Sequence, residues 1–139
     1  MATNSTDSIE RIVTEAAPSP SGHYVQATAW SDLVFISGQL PVRPDGSHTA
    51  DLVFEDQARQ ALANLLAVLA AAGSDPGLVL KVTAYITGVE HWPTFNRVFA
   101  DAFADARPAR AVVPVPALHH GYLIEIEAIA GRRLKDEEP

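Results

Sequence analysis

The chain has 139 residues, enough for one domain, and 47% of them are apolar, enough for a packed core. Its formal net charge is -7, so the chain lacks the basic surface that binding to a phosphate backbone requires. This argues against a nucleic-acid partner. Because there is no cysteine, disulfides, thiolate nucleophiles and cysteine metal sites are excluded.

The chain begins with a polar stretch. Residues 1–21 run into the sequence APSPSG at positions 17–22, a composition that favours a flexible tail and a turn over packed structure. The domain is predicted to begin at residue 22. Residues 24–30 and 33–37 favour two β-strands, and residues 41–48 favour a loop through PVRPDGS.

The middle of the chain carries two helical patterns around one strand. Residues 55–72 repeat apolar side chains at spacings of three and four, and Gly73 supplies a stop. Residues 78–87 favour a central strand. Residues 94–103 favour a second helix, which a Trp-Pro pair opens.

The stretch 107–130, RPARAVVPVPALHHGYLIEIEAIA, carries most of the candidate chemistry. A β-branched run follows Arg110, and residues 122–129 alternate as in a half-buried strand. If the HHG sequence between them turns the chain, these two strands form an antiparallel hairpin. Pro114 and Pro116 each remove a ladder donor, which predicts an edge strand or a bulge.

This order of elements predicts an α+β domain over residues 22–131, with both helices on one face of a mostly antiparallel sheet. Residues 132–139 are expected to form a solvated charged tail. The last strand would place an apolar set on the helix side and a mixed set on the other face, namely Leu123, Glu125, Glu127 and Ile129. This mixed face is too apolar to remain exposed to solvent and too charged to be buried in a hydrophobic core. We therefore expect copies of the chain to associate through it.

No apolar run approaches the ~20 residues of a membrane span. Residues 1–11 also lack the basic start and apolar centre of a signal peptide. We therefore expect a cytoplasmic protein without a membrane partner.

Arg110 is the first candidate for ligand binding. An arginine fixed on a strand suits a planar carboxylate, because its fork donates two parallel hydrogen bonds. A carboxylate nearby could polarise a water. For a lone arginine, a weak surface ion pair is the more common role.

RPAR, the valine-rich strand, the loop and IEIEAIA together resemble the C-terminal signature of the YjgF/Rid family, the reactive intermediate (enamine/imine) deaminases. Other segments follow in the order of that family: GHYVQ, FISGQLPV, QARQALANLLAVLAAAG, KVTAYIT and FNRVFADAF. The resemblance covers about nine-tenths of the chain, and the ordered set is far more specific than any one motif.

The resemblance implies a chorismate-mutase-like α+β fold: a mostly antiparallel six-stranded sheet with two helices on one face, assembled as a homotrimer with sites in the clefts between subunits. It implies a cofactor-free, metal-free hydrolase that converts reactive 2-imino acids or enamines, such as 2-iminobutanoate or 2-iminopropanoate, to 2-keto acids and ammonia. The implied partners are a small 2-imino or 2-keto carboxylate and the chain itself. The implied role is metabolite damage control.

The resemblance also assigns the two residues expected to act on the substrate. Arg110 stands where the family's arginine grips the substrate carboxylate. Glu125 stands where its glutamate helps to place the hydrolytic water. The alternative for Glu125 is a carboxylate in the trimer interior, a role for which Glu127 is the better candidate.

Five further residues are expected to bind substrate by the same resemblance. Tyr24 aligns with a tyrosine of the pocket wall, although a core aromatic is an equal alternative, and Ser37 and Gly38 border the same pocket. Asn96 aligns with a frequent pocket asparagine, or is an exposed helix residue. Val112 replaces a frequent cysteine, and its backbone carbonyl can still orient water.

The histidines depart from the family pattern. His23 replaces a proline, and His119 and His120 replace proline-lysine. Adjacent histidines cannot easily aim at one metal ion, so solvated loop histidines are the preferred interpretation. Together with Pro114, Pro116 and Val112, the altered loop leaves two alternatives open: a non-catalytic module that binds a small carboxylate or keto acid, and a pathway-specific enzyme that acts on a bulkier imine. Some family members have been described as ribonucleases, which the acidic charge here disfavours.

Overall fold

Six strands form a single sheet in the computed structural model, which describes residues 8–134. The strands are β1 (Glu10–Ile12), β2 (Ala27–Trp30), β3 (Leu33–Gln39), β4 (Val79–Ile86), β5 (Ala109–Pro114) and β6 (Ile124–Gly131). The helices are α1 (Phe54–Ala71) and α2 (Trp92–Phe103), and short 3-10 turns occur at Pro76–Leu78, Val89–His91 and His119–Gly121. The spatial order of the strands is β1-β2-β3-β6-β4-β5. The predicted six-stranded, mostly antiparallel α+β fold is confirmed.

The predicted hairpin between the last two strands is wrong. β5 pairs in parallel with β4 and lies at the edge of the sheet, because the crossover through α2 returns the chain in the same direction. β6 instead runs antiparallel between β3 and β4. The edge position of β5 agrees with the prolines in and after it, since an edge strand can lack ladder donors.

Both helices cover one face of the sheet. On α1 the periodic side chains are buried, with Leu65 and Leu69 fully enclosed, and Gly73 ends the helix at a left-handed φ of 83°. Pro93 lies in the first turn of α2, where its missing N–H costs nothing, and Phe95 and Phe99 face the core. None of the helices among residues 8–134 is long and apolar enough to cross a membrane.

The side chains of β6 alternate as the sequence predicts. Its helix-side set is almost fully buried: Ile124, Ile126, Ala128 and Ala130. The opposite face is partly bare, with Phe35, Val113 and Ile129 exposed to 44%, 37% and 38%. Leu123 departs from the predicted face, because it precedes the strand and packs against the core.

The N-terminal segment is not a loose tail over residues 8–21. β1 pairs with β2, and Ile12 and Ala17 are buried. The buried amide of Gln26 explains this order: its Oε1 accepts the Thr14 N–H at 2.6 Å, and its Nε2 donates to three carbonyls between residues 14 and 18. Residues 1–7 of the predicted tail lie outside the described part.

The predicted C-terminal tail also starts with ordered residues. Arg132 donates to the Ser31 carbonyl at 2.9 Å and forms an ion pair with Glu10 at 2.7 Å. Arg133 forms an ion pair with Asp75 at 2.6 Å. Residues 135–139 lie outside the described part of the chain.

Candidate functional site

Arg110 and Glu125 lie on opposite faces of the sheet within one chain. Arg110 pairs with Val82 of β4, a fully buried residue, so its side chain lies on the helix side. Glu125 pairs with Tyr85, which alternates onto the bare face. A single chain therefore does not bring these two predicted residues together.

Glu125 lies under an irregularity of β3. Between Ile36 and Gln39, two residues of β3 lie opposite one residue of β6, as in a β-bulge. Such bulges are common beside active sites. Gly38 lies in this bulge, and a Cβ on it would be only 2.6 Å from Oε2 of Glu125. Only glycine lets the backbone approach the carboxylate this closely.

The environment of Glu125 favours its protonated form. Burial raises the pKa of the Glu125 carboxyl, the nearby Glu127 raises it further, and His119 opposes them with a smaller lowering effect. A carboxylate with a raised pKa in a cleft is suited to accept a proton from water.

Glu125 and Gly38 line a cavity of about 490 Å³, within the range of small-molecule sites. Tyr24 forms another wall of the cavity, and its hydroxyl accepts the Ser21 N–H at 3.4 Å. Because Tyr24 is 50% exposed, the alternative that it is a core aromatic is wrong. Ser37 does not line this cavity, and its hydroxyl donates to the Val25 carbonyl at 2.7 Å. The rest of the wall comes mainly from residues 18–21 and 40–48.

Two histidines lie at the mouth of this cavity. The buried Tyr122 hydroxyl accepts the Thr49 N–H at 3.2 Å and lies 2.6 Å from Nδ1 of His48. His48 and Tyr122 thus share a hydrogen bond whose donor depends on the imidazole tautomer. The ring centroids of His120 and His48 are 4.8 Å apart, and the backbone of His120 is in the left-handed region. Burial lowers the pKa of His120, and the neighbouring His119 and His48 lower it further.

Arg110 lies in an aromatic cradle on the helix side. Its Cζ is 4.9 Å, 5.5 Å and 5.7 Å from the ring centroids of Phe99, Phe95 and Trp92. Burial lowers the pKa of the guanidinium, which nevertheless remains charged. Among residues 8–134, no carboxylate lies within ion-pair distance of it, so the surface ion pair is ruled out in this part of the chain.

A second cavity, of about 360 Å³, adjoins Arg110. Asn96 is an exposed residue of α2 and lines this cavity with Arg110. Its role in binding substrate stays a prediction. Val112 shares the helix side of β5 and packs against the core. The predicted residues thus separate into one group around Glu125 and another around Arg110.

The sequence prediction missed several residues of the site. Gln26 orders the segment that forms one wall, and His48 and His120 form the mouth. The motif GHYVQ ends in Gln26, but nothing local shows that an amide will be buried. No group of three or more His, Asp or Glu residues within 8–134 is arranged to hold a metal ion.

Comparison with known proteins agrees with this architecture. The family model described as Endoribonuclease L-PSP matches residues 14–131. A RutC family protein of Pyrococcus horikoshii is 42% identical over 121 residues, which are 87% of this chain and 96% of that protein. TdcF of Escherichia coli, provisionally named a reactive intermediate deaminase, is 40% identical over 125 residues, 87% of this chain and 95% of its own.

Solved structures show the same fold. Escherichia coli TdcF, solved with bound serine, superposes with a TM-score of 0.83 at 39% identity, covering 89% of this chain and 99% of that one. RidA from the Antarctic bacterium Psychrobacter superposes with a TM-score of 0.84 at 35% identity, covering 88% and 98%. The chain therefore belongs to the YjgF/Rid family.

Proposed function

We propose that the protein is a cofactor-free hydrolase of 2-imino acids or enamines, such as 2-iminobutanoate or 2-iminopropanoate, which it converts to 2-keto acids and ammonia. The observation that carries this proposal is the pair of complementary half-sites. One presents a partly buried arginine without an acidic partner among residues 8–134, and the other presents a carboxylate whose pKa is raised in a cavity. The provisional name of the relative TdcF, reactive intermediate deaminase, points to the same chemistry.

Arg110 would bind the substrate carboxylate. The Arg110 guanidinium lies over aromatic rings and makes no hydrogen bond or ion pair within residues 8–134, so its N–H donors stay available. Its planar fork matches a carboxylate in two parallel hydrogen bonds. The serine bound in the TdcF structure carries a carboxylate of the same kind, which supports a small carboxylate ligand here.

Glu125 would place and activate the water. The ionised carboxylate accepts a proton as the water oxygen bonds to the imine carbon, and it then returns that proton to the imine nitrogen, which gives a tetrahedral amino alcohol. Glu125 next takes the proton of the new hydroxyl and delivers it to the amino group as the C–N bond breaks, so ammonia leaves and the 2-keto acid remains. Because such imines also hydrolyse unaided, positioning and modest acid-base assistance are sufficient.

A complete site requires two chains, because the two half-sites face opposite sides of one sheet. Association through the bare face would also cover Phe35, Val113 and Ile129. In a closed ring, each cleft would combine Arg110 of one chain with Glu125 of the next. The expected assembly is a homotrimer in the cytoplasm, where such a ring would limit damage by reactive imines.

The decisive experiment follows 2-iminobutanoate that a threonine dehydratase generates in situ, with semicarbazide as the competing trap. We expect the wild-type protein to accelerate imine loss and Arg110→Ala to lose that acceleration. Arg97→Ala is the matched control, since this exposed arginine lies on α2 and pairs with Glu55. An Arg110→Ala protein with full activity would refute the carboxylate assignment. Binding of 2-ketobutanoate by an assembled wild-type protein without turnover would identify a binding module instead.

A further inference from the structure

The three rings around Arg110 differ in how deeply they are buried. Phe95 and Phe99 are core residues, with 0% and 6% of their surface exposed. Trp92 is 42% exposed, although it is among the largest apolar side chains in the protein. Packing in the hydrophobic core accounts for the presence of the two phenylalanines. It does not account for a tryptophan that remains largely exposed to solvent beside a cation.

Local structure fixes the position of Trp92. It is the first residue of α2, and Pro93 restricts the backbone of the same turn. The preceding residue, His91, stacks on Phe54 at the start of α1, with ring centroids 4.3 Å apart and planes 2° from parallel. The two helices therefore hold the Trp92 backbone beside the edge strand that carries Arg110.

This arrangement orients the guanidinium without using its donors. An arginine that is paired with a carboxylate spends its N–H groups on that partner, whereas an arginine over aromatic rings is held by their π faces. Tryptophan has the strongest such face of the three aromatic residues. The Arg110 fork is thus held in place while its edge remains open to a ligand.

We propose that Trp92 is a positioning residue, which holds the Arg110 guanidinium by a cation–π contact in the orientation that receives the carboxylate of a 2-imino acid. The inference rests on the proposed function for the identity of that ligand. The contact itself is a property of the free protein. Because Arg110 would bind the carboxylate equally in the ground state and the transition state, loss of the contact weakens binding and leaves the chemical step intact.

The test compares Trp92→Leu with Trp92→Phe and with Trp30→Leu. Trp30 is a matched control, because it is a 51% exposed tryptophan at the end of β2, on a strand remote from β5 in the sheet. With 2-iminobutanoate as substrate, we expect Trp92→Leu to raise KM roughly 2- to 5-fold with kcat within about twofold, the size of one exposed cation–π contact. Trp92→Phe should recover most of this loss, and Trp30→Leu should leave KM unchanged.

A spectroscopic measurement tests the contact directly. In ¹H–¹⁵N spectra of the arginine side chains, the Arg110 Nε–H signal, assigned through Arg110→Lys, should carry a ring-current shift that Trp92→Leu reduces and Trp30→Leu preserves. An unchanged Arg110 signal, or a KM for Trp92→Leu equal to that for Trp30→Leu, overturns the proposal. If the wild-type protein does not turn over the imine, the proposed function fails. The Kd for 2-ketobutanoate then replaces KM, and equal Kd values for the wild-type protein and Trp92→Leu would overturn the positioning role.

Discussion

The close approach of Gly38 to Glu125 allows a steric test of the water-placing role. In Gly38→Ala, the new Cβ would lie 2.6 Å from Oε2 and 3.0 Å from Cδ of Glu125, whereas ordinary contact begins at 3.4 Å. The carboxylate must therefore move by about 0.8 Å or rotate away, and a misplacement near 1 Å costs roughly 10²-fold in rate. We expect kcat for 2-iminobutanoate to fall by about that factor.

The same substitution should scarcely change stability. The atoms that must move belong to the end of a flexible side chain, and replacement of glycine by alanine lowers the entropy of the unfolded chain. We expect the free energy of unfolding in urea to remain within about 1 kcal/mol of the wild-type value. Gly131→Ala is the control, because its nearest non-neighbour atoms lie at 3.7 Å and it should keep both activity and stability. A stable Gly38→Ala protein with wild-type kcat would show that Glu125 does not place the water.

Three further predictions concern assembly and pH. Chains carrying Arg110→Ala and chains carrying Glu125→Gln, each with only residual activity alone, should regain activity when they are mixed 1:1 and refolded together. In a ring with heterologous interfaces, about a quarter of the sites would combine an intact arginine with an intact glutamate. No recovery would place the whole site within one chain. The pKa of the Glu125 carboxyl is raised above its usual 4.5, and the ionised form acts as the base. We therefore expect kcat/KM to rise with pH above 4.5. Glu125→Gln should lose this rise. A hydrogen bond from Arg97, with a smaller effect from Arg59, lowers the pKa of the Glu55 carboxyl to about 2. The stabilisation that the ionised Glu55 contributes is therefore present above pH 4.5 and is lost as pH falls through 2. Urea unfolding of Glu55→Gln between these two pH values should show a weaker acid destabilisation than wild type, and equal curves would contradict the assignment.

The elements themselves could be predicted from the sequence, because their signals are local. The three-and-four spacing of leucines and alanines defined α1, and the alternation in IEIEAIA defined both faces of β6. Pro114 correctly indicated an edge strand. Family resemblance added the six-stranded fold.

The pairing of the last strands could not be predicted in the same way. The connection from β5 can lead to an adjacent antiparallel strand or to one on the far side of β4, and nothing in residues 115–123 records that β6 will insert between β3 and β4. The ordered N-terminal segment was missed for a similar reason. Its order depends on Gln26, whose amide is buried only after the fold has formed.

The division of the candidate site also depends on this topology. The family resemblance placed Arg110 and Glu125 in one pocket between subunits. The face of the sheet on which each side chain lies follows instead from the pairing with β4, where Arg110 pairs with Val82 and Glu125 with Tyr85. A one-residue change in either register would reverse the face, so only the assembled sheet shows that one chain carries two half-sites.

The central position of β6 has a consequence for biosynthesis. Chains emerge from the ribosome N-terminus first, so β1, β2 and β3 are available early, and β4 and β5 follow. Until β6 emerges, β3 and β4 have no strand between them, and each presents an open edge to other nascent chains. The two parts of the sheet therefore join only after β6 has been synthesised, because this eight-residue strand connects β1–β3 to β4–β5.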